Sequence, residues 1–168
     1  MSPTLADVAA VVERLWPASG AEPWDAIGLI AGDPAAHVDS ILLAVDAVHD
    51  TVDEAVASGV DLLLVHHPLL LRGVTSVAAD RYKGAALTRL IRAEIALMAA
   101  HTNADVVESG TSATLASVLG LVDIVPLDPG SDPGRGIGRL GRLPAPMTLG
   151  RLARTLGEIV RLLQVRDD

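Results

Sequence analysis

The sequence contains no cysteine, which excludes disulfides, thiolate zinc sites and cysteine nucleophiles. It has no phenylalanine, one tyrosine (Tyr82) and two tryptophans (Trp16 and Trp24). Stacking platforms for single-stranded nucleic acid are therefore nearly absent. Lysine occurs once, at Lys83, among 13 basic residues. No apolar run reaches the roughly 18 residues of a membrane span. The opening residues, Met1-Ser2-Pro3-Thr4-Leu5-Ala6-Asp7, lack the basic region of a signal peptide. A cytoplasmic protein without membrane partners is the expectation. No Gly-x-Ser-x-Gly elbow supports a serine hydrolase. Gly136-Ile137-Gly138 is no phosphate loop, because Arg139 follows it and no strand is expected before it.

What is present is an apolar core in a chain of 168 residues, half of them hydrophobic. That length accommodates one domain and the beginning of a second. The net charge of −8 opposes general attraction to nucleic acid. The charge is uneven: residues 1–133 carry 6 basic and 18 acidic side chains, residues 134–168 carry 7 basic and 3 acidic.

Hydrophobic spacing predicts helices over 4–16, 50–58, 81–94, 110–119 and 147–156, with Thr4 and Asp50 as N-caps and Gly59 ending the second. Strands are expected within 24–32 and over 40–46, 60–66, 95–100, 121–125, 136–143 and 159–165. The segment 40–46 has the composition of a buried strand. Alternating strands and helices predict an α/β fold with a mixed, mostly parallel sheet and flanking helices. The Gly/Pro/Asp-rich stretch 126–136 reads as a linker. It separates an N-terminal α/β lobe, 4–125, from the start of a second lobe or inserted domain, 137–168.

Two clusters can carry chemistry. The first closes an apolar run: Asp61-Leu62-Leu63-Leu64-Val65-His66-His67-Pro68. Imidazole is the commonest metal ligand, and strand ends in α/β folds are where sites are built. Adjacent strand residues point to opposite faces. The chain must therefore leave the strand at His67, or each ring must serve a different ion of a two-metal pair. One buried and one exposed packing histidine is the competing reading. The second cluster, His101-Thr102-Asn103-Ala104-Asp105, also follows an apolar strand and falls on the same sheet edge. Asp105 can bridge two cations. His101 can ligate or orient a ligand. An Asx-type helix cap is the alternative. Asp46 ends a third strand on that edge, as a cap or a carboxylate behind the ligands. His37 and His49 read as loop residues.

The motifs Trp24-Asp25-x-x-Gly28-Leu29-x-x-Gly32, Ala44-Val45-Asp46, His66-His67-Pro68-Leu69, His101-Thr102-Asn103-x-Asp105 and Gly138-Arg139-x-Gly141 occur in an order that resembles the Nif-three-like family, also called GTP cyclohydrolase 1 type 2 homologs. The resemblance covers roughly residues 4–165. It implies a dinuclear divalent-metal site in a ring-shaped homohexamer. His66 and His67 would each bind one ion, Asp105 would bind or bridge, and His101 would ligate or support. The ions would be Zn, Mn, Fe, Ni or Co. The family's closing ligands, a His and a Glu in a His-x-x-x-Glu-like segment, have no counterpart here, since no histidine follows His101. The chain therefore reads as the N-terminal portion of a longer protein. A second departure is Ser112-Ala113, where the family tends to have Asn-Asp. The implied activity is metal-dependent hydrolysis of a nucleotide or other small molecule. The alternative is a non-catalytic metal-binding ring scaffold or regulatory interaction protein.

Overall fold

In the computed structural model, which describes residues 2–130 and 132–164, Thr4 opens helix α1 (Leu5–Leu15) with a capping box. The Asp7 N–H donates to Thr4 Oγ1 at 3.2 Å, and Asp7 Oδ2 accepts from the Thr4 N–H at 2.8 Å. Two of the helix's otherwise orphaned donors are thereby satisfied. The chain divides into two units, Met1–Ala104 and Asp105–Asp168.

The first unit continues with strands β1 (Gly28–Ala31) and β2 (Ile41–Asp46), helix α2 (His49–Ser58), strand β3 (Leu62–His67), helix α3 (Tyr82–Arg92) and strand β4 (Ala96–Ala99). The sheet order is β1-β4-β3-β2. β2, β3 and β4 run parallel, and β1 is antiparallel to β4. This is the expected mixed, mostly parallel sheet. Side chains alternate between two cores. Leu63, Val65, Leu97 and Ala99 pack with Val52, Ala55, Ala86, Leu87 and Leu90 of α2 and α3. Leu62, Leu64, Ala96 and Met98 pack with Leu5 and the inner face of α1. Helices thus cover both faces, and β3 and β4 are buried on both sides.

Two details differ from expectation. β2 is an edge strand rather than a buried one. Leu42 and Ala44 reach the α2–α3 core, whereas Leu43 is 72% exposed and Val45 59%. The cause is position, because the core beneath α1 is built on β3 and β4. Helix α2 starts one residue early, so Val48 and not Asp50 holds the N-cap position. Asp50 lies in the first turn, where a carboxylate suits the positive end of the helix dipole. Gly59 ends α2 in the left-handed region at φ 62°, as its composition predicts.

Helix α4 (Thr102–Val106) carries the chain across the boundary between the units. The second unit has helix α5 (Thr111–Val118), an antiparallel pair β5 (Val122–Pro129) and β6 (Gly136–Arg142), and helix α6 (Leu149–Gln164). Of the stretch read as a linker, residues 126–129 are the second half of β5 and Gly136 opens β6. Pro126 and Pro129 are tolerated because a two-stranded ribbon is all edge. A Cβ on Gly136 would lie 2.2 Å from the Asp128 carbonyl oxygen, so the two strands approach closely there. The Arg139 guanidinium donates to the Gly136 and Gly138 carbonyls of β6, and to that of Val107 before α5, each at 2.7 Å. The strand expected over 159–165 is instead a continuation of α6 as far as Gln164, and Val165 lies outside the described residues. Within the second unit, α5 packs against the β5–β6 pair.

Candidate metal centre

Parallel pairing places the carboxyl ends of β2, β3 and β4 side by side. Asp46 is in register with His67, and Val65 with Ala99, two residues before His101. Three imidazoles meet there. The ring centroids of His66 and His67 are 5.0 Å apart, those of His66 and His101 5.1 Å, and those of His67 and His101 5.4 Å. One nitrogen of each ring lies within 4.8 Å of the corresponding nitrogen of the other two. Both members of the adjacent pair reach the cluster at the last two positions of β3, immediately before Pro68. Among the described residues, these three are the group whose ligand atoms converge as a metal ion requires.

Each ring is held through Nδ1. His66 Nδ1 donates to the Ala100 carbonyl at 2.9 Å. His67 Nδ1 lies 2.9 Å from Asp46 Oδ1. His101 Nδ1 lies 2.9 Å from Asp25 Oδ1. A carbonyl or carboxylate partner requires a proton on Nδ1, which leaves the ligating lone pair on Nε2. Such partners behind metal-binding histidines fix the tautomer and ring orientation. A set of imidazoles suits zinc, iron, cobalt or nickel, so the residues fit the implied group.

The three supports differ in burial. Asp46 and His67 are each half exposed. Asp25 is wholly covered, and His101 is 14% exposed. Asp25 Oδ1 also accepts the Ala26 N–H at 2.7 Å. Its Oδ2 accepts the Thr102 N–H at 3.0 Å and the Thr102 hydroxyl. Burial acts to raise the Asp25 carboxyl, but the bonds from the Thr102 hydroxyl, His101 and the Thr102 and Ala26 N–H groups outweigh it. Its pKa ends below the ordinary carboxylate value. Asn103 completes the support. Its Oδ1 accepts the His101 N–H at 2.9 Å, and its Nδ2 donates to the Trp16 carbonyl at 2.7 Å.

Of the residues singled out from sequence, His66, His67 and His101 come together, with Asp46 behind His67. Asp105 opens the second unit, where it accepts a hydrogen bond from the Thr111 hydroxyl. His37 lies against the Ser2 carbonyl at 3.2 Å, and His49 packs edge-on against Tyr82. Asp25, Thr102 and Asn103 support the His101 ring and backbone, a part that neither spacing nor periodicity marks in the sequence. The only signal for Asp25 was its place in the Trp24-Asp25 motif.

The family model for Duf34/NIF3 (NGG1p interacting factor 3) matches residues 3–167. The chain belongs to the Duf34/NIF3 family. A Streptomyces coelicolor family protein named GTP cyclohydrolase 1 type 2 homolog is 48% identical over 159 residues, which are 93% of this chain and 56% of that protein. The Mycobacterium tuberculosis protein of the same name is 50% identical over 129 residues, 77% of this chain and 34% of its own. The chain thus spans about half the length, or less, of these curated relatives. Among solved structures, a Staphylococcus aureus hypothetical protein superposes with a TM-score of 0.88 at 27% identity, covering 96% of this chain and 65% of that one. A Bacillus cereus protein related to NIF3 gives a TM-score of 0.73 at 32% identity, covering 77% and 36%. The NIF3 relationship and the observed α/β architecture agree. No described helix is long and apolar enough to cross a membrane.

Proposed function

We propose that this NIF3-family chain supplies the histidine-rich half of a dinuclear divalent-metal site for hydrolysis of a small, phosphate-bearing substrate. The observation that carries the reading is the convergence of His66, His67 and His101, each held at Nδ1. His66 and His67 would each hold one ion. His101 would be a further ligand beside them. Asp105, four residues beyond His101 in the same motif, is the carboxylate assigned by the family resemblance to bind or bridge. Bound divalent ions would supply Lewis acidity to a substrate oxygen and bring the pKa of a bound water toward neutrality. The protein's part is to fix the ring orientations beforehand. Asp46 and the Ala100 carbonyl do this for His67 and His66.

The relatives' name makes a purine nucleotide the first substrate to assay. A cytoplasmic, ring-shaped homohexamer belongs to the same proposal and is checked by light scattering of the whole protein. The deciding experiment measures divalent metal by elemental analysis after purification without chelator, and then nucleotide hydrolysis with and without that metal. Stoichiometric metal and hydrolysis that both disappear in His67→Ala support the reading. Stoichiometric metal without metal-dependent turnover would replace it with the scaffold alternative. Absence of stoichiometric metal in the whole protein would overturn both.

A further inference from the structure

Asp25 is a carboxylate with every acceptor position occupied and no exposure to water. Each carboxylate oxygen accepts about two hydrogen bonds. Oδ1 takes the His101 Nδ1–H and the Ala26 N–H. Oδ2 takes the Thr102 N–H and hydroxyl. Thr102 in turn accepts the Glu22 N–H at 2.9 Å, which also ties the loop before β1 to the start of α4. Asp25 and His101 are 76 positions apart in the chain, yet the imidazole is the one side chain with a choice of tautomer among the four contacts.

We infer that Asp25 is the positioning residue of the metal centre: its buried carboxylate fixes His101 as the Nδ1–H tautomer and so directs Nε2 at the ion. This rests on the metal-binding reading above. The exposed Asp46 performs the corresponding service for His67, but there water can substitute. At Asp25 nothing can. The Asn variant exposes the dependence. An amide nitrogen in the Oδ1 position confronts the Ala26 N–H and offers His101 a donor, which places the ring proton on Nε2 and removes the ligating lone pair. An amide nitrogen in the Oδ2 position confronts the Thr102 N–H and displaces the loop. Either way the ion loses a well-placed nitrogen.

The test uses the 168-residue chain with zinc alone as probe, its affinity read by competition with a chromogenic chelator. Asp25→Asn should weaken zinc binding by about 10- to 100-fold, the usual effect of removing a carboxylate behind a ligating histidine. Asp61→Asn serves as a folding control. It removes another hydrogen-bonded carboxylate, one that accepts from Asp39 and Ser40, and should leave zinc affinity unchanged. Nitrogen-15 spectra of the metal-free protein provide a readout that stability does not move. The Nδ1–H signal of His101 should be present in the parent chain and lost or shifted in Asp25→Asn. If His66→Ala and His67→Ala lower affinity while Asp25→Asn changes neither affinity nor the His101 signal, the positioning role is overturned and the metal reading survives. If the two alanine variants bind zinc like the parent, the metal reading itself falls.

Discussion

Asp46 and His67 are register partners on adjacent parallel strands, and the same two residues are joined at 2.9 Å between Oδ1 and Nδ1. The sheet register thus sets the orientation of the His67 ring directly, with no loop intervening. Because both side chains are about half exposed, the pair itself adds little to folding, in the range of ~0–1 kcal/mol for exposed pairs. Asp46→Ala should therefore leave the thermal midpoint within about 4 °C. Zinc affinity should fall about tenfold, the low end for a carboxylate behind a ligand. Calorimetry and chelator competition on one preparation check both numbers.

Asp61 fastens the start of β2 to the start of β3, and its effect should appear as acid sensitivity. Its carboxylate accepts the Asp39 N–H at 2.9 Å, the Ser40 N–H at 2.8 Å and the Ser40 hydroxyl at 2.9 Å. The Asp39 and Ser40 N–H groups, and then the Ser40 hydroxyl, lower its pKa against a small opposing effect of burial. A carboxyl that is more acidic folded than unfolded adds stability at pH values above its unfolded pKa of about 3.9. That stability fades as the pH falls below about 4 toward the depressed folded value. Urea unfolding between pH 6 and pH 2.5 should show a steeper acid limb for the parent chain than for Asp61→Asn. Parallel limbs would refute the assignment.

The three-histidine cluster was legible because both of its motifs close apolar strands, and parallel strands share one carboxyl edge. Asp25 was not, because its position in a loop before β1 carries no periodicity and its partner lies 76 residues away. Strands were expected over 121–125 and 136–143, but the extension of β5 to Pro129 was hidden by Pro126 and Pro129, which mark breaks in most contexts but are admissible in a two-stranded ribbon. The C-terminal strand failed for a different reason. A short apolar window such as 159–165 fits a strand, whereas Leu152, Leu156 and Ile159 continue a helical spacing through it. β2 was misjudged as buried because its composition is that of a central strand, and only the sheet order reveals it as an edge.

Gly84, in the first turn of α3, is the point where the segment between Pro68 and α3 rests on that helix. A Cβ there would lie 2.1 Å from the Ala78 carbonyl oxygen and 2.6 Å from the carbonyl carbon of Val77. Backbone cannot yield as a side-chain tip can, so Gly84→Ala should cost about 1–3 kcal/mol, as overpacking does. Gly130→Ala meets nothing within 4 Å and should be close to neutral. Denaturant unfolding of the two variants, compared with the parent, decides the matter. Equal midpoints would mean that the segment preceding α3 is not held against it.

Leu43 of β2 and Leu63 of β3 lie on adjacent strands in opposite environments, and substitution should separate them clearly. Leu42, not Leu43, pairs with Leu63, and Leu63 is fully buried between the sheet and the helices α2 and α3. Leu63→Ala removes buried methyl groups and leaves a cavity, at a cost of about 2–5 kcal/mol. Leu43 is 72% exposed, so Leu43→Lys in the 168-residue chain should change stability by no more than about 0.5 kcal/mol. Its charge on an edge strand should also discourage edge-to-edge pairing between copies. Unfolding by urea gives the first comparison, and sedimentation at rising concentration the second. A large loss of stability in Leu43→Lys would mean that the outer face of β2 is covered in solution, contrary to its place at the sheet edge.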